Sequence, residues 1–166
     1  MNETITAVAT VDEILDAIDS ERDYQDSLWP ANAEDRQHTV GEEILILEEY
    51  INAPEGIHTL RKAAAIAWRC LENEAYSDGA VDLRGSIIQR ALTEHIIQRA
   101  LTEHQMGEGW NVTLPCFIRD LKALADAARV AWVRVAGDEI IACSVLYQVL
   151  AMAIYGMLFC GAVSRS

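Results

Sequence analysis

Residues 39–54 read TVGEEILILEEYINAP, and this stretch decides the fold class. Thr39 and Glu42 have the spacing of a capping box, in which the threonine hydroxyl takes the backbone N–H of the third helical residue and the glutamate reaches back to the threonine N–H. The predicted helix runs to about Asn52 and stops before Pro54, because proline disfavours helical backbone at the residue before it. Inside it, Ile44, Leu45, Ile46 and Leu47 are consecutive. At about 100° per residue they cover most of the helix circumference, which predicts burial on several sides. The carboxylates are confined to the ends, Glu42 and Glu43 before the apolar block and Glu48 and Glu49 after it.

The same periodicity extends outward in both directions. Towards the N-terminus, Thr10 N-caps a helix with Ile14, Leu15 and Ile18 on one stripe, and the chain turns at Trp29-Pro30. Beyond Gly56 a third helix sets Leu60, Ala64, Ala67 and Leu71 on one face, with small residues that permit close helix packing. Pro115 opens a long helix with Phe117, Leu121, Leu124, Ala128, Ala131 and Val135 inward, and Arg119, Lys122, Asp126, Arg129 and Arg134 outward. Gly137 ends it and Asp138 caps the last helix. No run shows sustained alternation of apolar and polar residues, so the expected class is an all-α bundle of five to six helices.

Composition sets the bounds. With 166 residues, 51% of them hydrophobic, the chain can bury a core without disulfide or zinc staples, as one domain or two small ones. Charge divides it: residues 1–79 hold 18 acids and 5 bases, while residues 80–166 hold 8 of each, so the whole net charge of −13 is N-terminal. The two regions meet near Ala75 to Ser86, AYSDGAVDLRGS, a turn-forming composition. An acidic chain of this kind is not expected to grip nucleic acid directly, since phosphate binding relies on clustered Lys and Arg. Cys70, Cys116, Cys143 and Cys160 lie in apolar runs without metal-ligand spacing and are expected to be reduced core residues. With a start that lacks the features of a secretory signal, they favour the cytoplasm.

Two segments stand out. IIQRALTEH occurs at 87–95 and again at 96–104. Nine residues of continuous helix rotate by about 900°, which would put Leu92 and Leu101 on opposite faces. Three readings stay open: a helix wedged between neighbours or in an oligomer, a break near His95 that reorients the second copy, or a tolerated insertion. From Ile140 to Val163, 24 residues carry no formal charge, long enough to span a bilayer. Gln148 in the middle and Arg165 as the only downstream base favour instead a central helix buried by the bundle or by an oligomer. Gly156 and Cys160 add the spacing of small residues found at close helix contacts.

Clustered carboxylates on a buried helix suit Mg²⁺, a hard cation that takes oxygen ligands and clamps phosphates. In this light ERDYQDSLWP (Glu21–Pro30), HTVGEEILILEEYINA (His38–Ala53) and LRKAAAIAWRCLENE (Leu60–Glu74) resemble the short phage and prophage proteins related to the MazG-type all-α nucleotide pyrophosphohydrolases. The resemblance covers about a third of the chain. It implies Mg²⁺ and a nucleotide, held where a helix carrying EExxE faces a helix carrying ExxD. Glu48 and Glu49 fill the first two positions with Asn52 in place of the third glutamate, or Glu42 and Glu43 do so with Ile46 in its place. The facing helix reads KAAAIAWR over Lys62–Arg69, with acids only at its end, Glu72 and Glu74. The candidate metal ligands are therefore Glu42, Glu43, Glu48 and Glu49, with Asp23 and Asp26 as possible supplements, and the candidate ligand-binding residues are Asn52, Arg61 and Lys62.

Three functions follow as expectations. The first is a MazG-like nucleotide-binding protein with an altered Mg²⁺ site, working as a homo-oligomer. The second is a non-catalytic acidic protein of inhibitor or anti-defence type, whose N-terminal half meets a basic protein partner. The third is a membrane-anchored protein held through Ile140 to Val163.

Overall fold

The computed structural model describes residues 9–28, 40–77, 87, 89–91, 93, 113–134 and 139–162. Among them the chain is all-α, without strands. Five long helices make the bundle: α1 (Val11–Leu28), α2 (Val40–Asn52), α3 (His58–Ser77), α4 (Leu114–Arg134) and α5 (Glu139–Cys160). Residues 87, 89–91 and 93 of the first nonapeptide copy are also helical.

Local chemistry accounts for the helix ends. Thr10 caps α1 through a full box: the Glu13 N–H donates to Thr10 Oγ1 and the Thr10 N–H donates to Glu13 Oε1, both at 3.2 Å. Gly56, at a φ of 60°, makes the left-handed turn into α3, where its carbonyl accepts the Thr59 N–H at 3.1 Å. Gly161, at a φ of 112°, closes α5 by donating its N–H to the Met157 carbonyl at 2.9 Å. Thr39 of the box expected at α2 lies outside the described residues.

Packing is organised around α3 and α5. α5 lies against both α4 and α3, α2 rests on α3 and α4, and α1 covers α3 with a smaller contact to α5. Leu60, Ala64, Ala67 and Leu71 are all buried as their spacing predicts, and nearly every residue from Thr59 to Leu71 joins them. Phe117, Leu121 and Ala128 form the inner face of α4, joined by Ala125. The acidic half, through α1 to α3, and the neutral half, through α4 and α5, thus share one hydrophobic core.

The apolar last helix lies in the middle of this packing. From Leu150 to Met157 every residue of α5 is buried, while Ile141, Ser144 and Gln148 on its first turns face outward. Gly156 lets the helices come close: a Cβ there would meet Leu60 Cδ1 and Phe117 Cγ at 3.1 Å, on α3 and α4. The first nonapeptide copy docks with Ile87 and Ala91 buried, and the Arg90 guanidinium lies 4.0 Å from the Tyr147 ring centroid. The second copy, with Glu103 and His104, lies outside the described residues, as do Glu94 and His95.

Candidate functional site

The buried face of α1 begins apolar, with Ile14, Ala17 and Ile18, and continues as Glu21, Arg22 and Gln25. A charge so placed is tolerated only with a partner, because desolvation costs several kcal/mol per ion. α3 supplies the partners. Arg69 Nη1 donates to Asp26 Oδ1 at 2.9 Å, and its Nε lies 3.5 Å from Glu43 Oε1, so one guanidinium joins α1 and α2. Arg61 Nε lies 3.5 Å from Glu21 Oε2. Arg22 pairs with Glu72 and also sits over the Trp68 indole, 5.2 Å from its centroid. Gln25 Nε2 donates to the Lys62 carbonyl at 3.4 Å. The seam between α1, α2 and α3 is therefore closed by carboxylate–guanidinium contacts instead of by aliphatic packing alone.

Glu43 of α2 lies deep in the seam. Its residue is 2% exposed, and burial pushes its carboxyl up to about 7. Arg69 pulls the other way, and the nearby charges of Glu42 and Asp26 push up again.

At one end the seam opens into a cavity of about 430 Å³, bounded by α1, the end of α2 and the start of α3. Arg61, Lys62 and His58 line one side and Tyr24 and Tyr50 another, with Glu21 and Glu55 among them. Lys62 Nζ is 2.8 Å from Glu55 Oε2 and 5.6 Å from the Tyr50 ring centroid. Arg61 Nη1 lies 2.7 Å from His58 Nδ1. A guanidinium only donates, so His58 Nδ1 is the acceptor of this contact. The cavity combines two cations with two aromatic rings, a combination suited to an anionic ligand that carries a planar group.

A second hollow, of about 330 Å³, lies between α2 and α4 beside Gly41 and Trp132. It is bordered by Leu45 and Val133, which are 60% and 69% exposed. Gly41 lets the indole lie against the α2 backbone: a Cβ there would come 2.5 Å from Trp132 Nε1.

The residues singled out from the sequence separate. Arg61 and Lys62 meet in the larger cavity, while Asn52 stands exposed at the end of α2. Of the four glutamates, Glu43 faces Arg69, Glu48 accepts the Arg129 Nε–H at 2.8 Å, and Glu42 and Glu49 are exposed. Glu42 and Glu49 share an outer face but lie about 10 Å apart along the axis. Among the described residues, no group of three or more His, Cys, Asp or Glu side chains is placed to share a metal ion. This donor set does not fit Mg²⁺ bound by Glu42, Glu43, Glu48 and Glu49 together. Asp26 joins the seam and Asp23 points to solvent.

Sequence reasoning passed over Glu21, Tyr24, Tyr50, His58 and Arg69. One signal was available: Glu21, Arg22 and Gln25 continue the stripe of Ile14 and Ile18; among the described bases of the acidic half, Arg22, Arg61 and Arg69 are buried. No family model, no curated protein and no solved structure matches this chain.

Proposed function

We propose that this chain is a MazG-like helical protein that binds a nucleotide or a closely similar phosphorylated small molecule in the cavity between α1, α2 and α3. The observation that carries the proposal is the meeting of Arg61, Lys62 and His58 with Tyr24 and Tyr50 around about 430 Å³, a volume within the range of small-molecule sites. The phosphate end takes Lys62 and the outer edge of Arg61. The Lys62 contact to Glu55, whose side chain is largely exposed, is weak enough to be exchanged for a phosphate. The tyrosine rings offer faces for a base, and Glu21 and Glu55 are acceptors for ribose hydroxyls or an exocyclic amine. The resemblance of residues 20–75 to the short phage and prophage proteins of that group points to the same ligand class. Binding is the activity proposed: among the described residues, the carboxylates that line the cavity are Glu21 and Glu55, which face Arg61 and Lys62.

A thermal-shift screen against nucleoside mono-, di- and triphosphates, with and without Mg²⁺, tests this reading, since a ligand that binds the native state raises Tm. A rise with at least one nucleotide is expected. No rise with any of them removes it.

A second reading has its own observation. Asp12, Asp16 and Asp23 run along the exposed side of α1 with Glu13 beside them and no base among them, a face suited to a basic protein partner. Such binding weakens steeply with salt; binding indifferent to ionic strength counts against it. The homo-oligomer belongs to the same proposal, through the exposed Leu45, Val130 and Val133. Val133→Glu is expected to shift size-exclusion elution towards the monomer, and an unchanged elution volume removes this face as the contact.

A further inference from the structure

The cavity is built wholly from the acidic half of the chain, since its described lining runs from Glu21 to Lys62. That half carries 18 acids against 5 bases. A ligand that enters therefore meets two electrostatic settings, a short-range one from the lining and a long-range one from the surrounding surface. Within the lining, Arg61 Nε faces Glu21 Oε2 at 3.5 Å and Lys62 Nζ faces Glu55 Oε2 at 2.8 Å, so each strong cation already has a carboxylate beside it. The Glu55 side chain is 64% exposed and can turn to water when a phosphate takes its place, whereas the buried Glu21 stays with Arg61. Arg61, Lys62 and Glu21 then leave one net positive charge, which suits a single phosphate group. Around the lining, Asp16 and Asp23 of α1 and Glu49 of α2 are exposed acids. Each repels an anion only weakly through water, but the repulsion adds over the whole acidic surface and grows with every phosphate the ligand carries.

We propose that the ligand class of this cavity is the nucleoside monophosphate, or another monophosphate ester with one planar ring, taken up as the free dianion. This inference rests on the nucleotide reading and narrows it. A phosphate monoester loses its second proton at about pH 6, so it arrives doubly charged at neutral pH. It sets one dianionic group against Lys62 and the outer edge of Arg61, with the tyrosine rings beside the base. A further phosphate adds negative charge, and among the described lining residues the Lys and Arg side chains available to it are the same two. His58 accepts from Arg61 through Nδ1 at 2.7 Å, so its ring is already engaged on that side. The longer the phosphate chain, the more of its charge lies against the acidic surface with no local cation to offset it.

The test is isothermal titration of the mono-, di- and triphosphates of the four common ribonucleosides into the full chain, in EDTA at about pH 7.5 and low salt. For the base that binds best, affinity is expected to fall from monophosphate to triphosphate by about fivefold, and the gap to narrow to about twofold at about 0.5 M salt, where the surface charges are screened. Mg²⁺ in place of EDTA should leave the monophosphate unchanged and tighten the triphosphate, whose charge it partly neutralises. Asp16→Asn combined with Asp23→Asn, two exposed positions outside the lining, should narrow the low-salt gap by strengthening the triphosphate more than the monophosphate. A triphosphate that binds as tightly as the monophosphate at low salt in EDTA, or a gap that salt leaves unchanged, overturns this inference while the nucleotide reading stands. Binding of none of these nucleotides, with or without Mg²⁺, removes the nucleotide reading and this inference with it.

Discussion

Glu43 is the residue at which charge, burial and stability meet. Its carboxyl is held up to about 7 chiefly by burial, against about 4.5 for the unfolded chain. Between those values the folded state binds a proton that the unfolded state has lost, so this residue's contribution to stability is complete below 4.5 and is lost as the pH rises through 7. Glu43→Gln cannot lose that proton. Its stability relative to wild type should therefore grow by up to about 3 kcal/mol from the acid to the alkaline side of this window, read from urea midpoints across the range. A constant difference across the window would show that the carboxyl is not held protonated. Little of this was visible in the sequence. Glu42 and Glu43 are neighbours of the same type, and only the rotation of α2 on α3 turns one to solvent and the other to Arg69. The same holds for Arg61 and Lys62, adjacent in sequence yet one buried against Glu21 and the other reaching the exposed Glu55.

At the scale of elements, the helices were legible and their pairings were not. Thr10, Pro54, Gly56 and Pro115 act through local backbone chemistry, so boundaries could be read from them directly, whereas the Ile44–Leu47 block, expected to be buried on several sides, leaves Leu45 60% exposed. Which polar residues meet depends on which faces pack, and one helix alone does not specify that. Gly41 illustrates the difference: it sits in the first turn of α2, where a sequence reading sees only a weak helix former, yet the Trp132 indole of α4 occupies the space a Cβ would need. Gly41→Ala should push the indole away and destabilise the fold by about 1 to 2 kcal/mol despite alanine's better helix propensity. An unchanged or raised urea midpoint would contradict that packing. The nonapeptide gives a second prediction. Ile87 and Ala91 of the first copy already fill their place in the core. Deleting nine residues, which yields the same chain whichever copy is removed, should leave helical circular dichroism per residue and Tm nearly unchanged. A collapse of either would show that the chain needs both copies.

Across the whole molecule, the division of charge is not a division of the core. The acidic half carries the cavity, and the neutral half supplies α5, the apolar helix against which α3 is set. An apolar stretch of 20 residues with a mean hydropathy of 1.8 takes that central place, and just over half of its residues are buried there. The scaffold fixes α3, and α3 in turn aims Arg61 and Lys62 into the cavity and Arg69 into the seam beside it. The central claim is that the cavity takes a phosphorylated ligand through Lys62, and isothermal titration of a nucleoside triphosphate into wild type and Lys62→Ala tests it most directly. Lys62 is the better choice for substitution because Arg61 is buried against Glu21 and its loss would also strain the fold. Saturable binding to wild type is predicted, weakened about tenfold in Lys62→Ala by the loss of one charge-assisted contact, with the melting temperature of the free variant little changed. Equal affinity in the two proteins, or no binding by wild type, would contradict it.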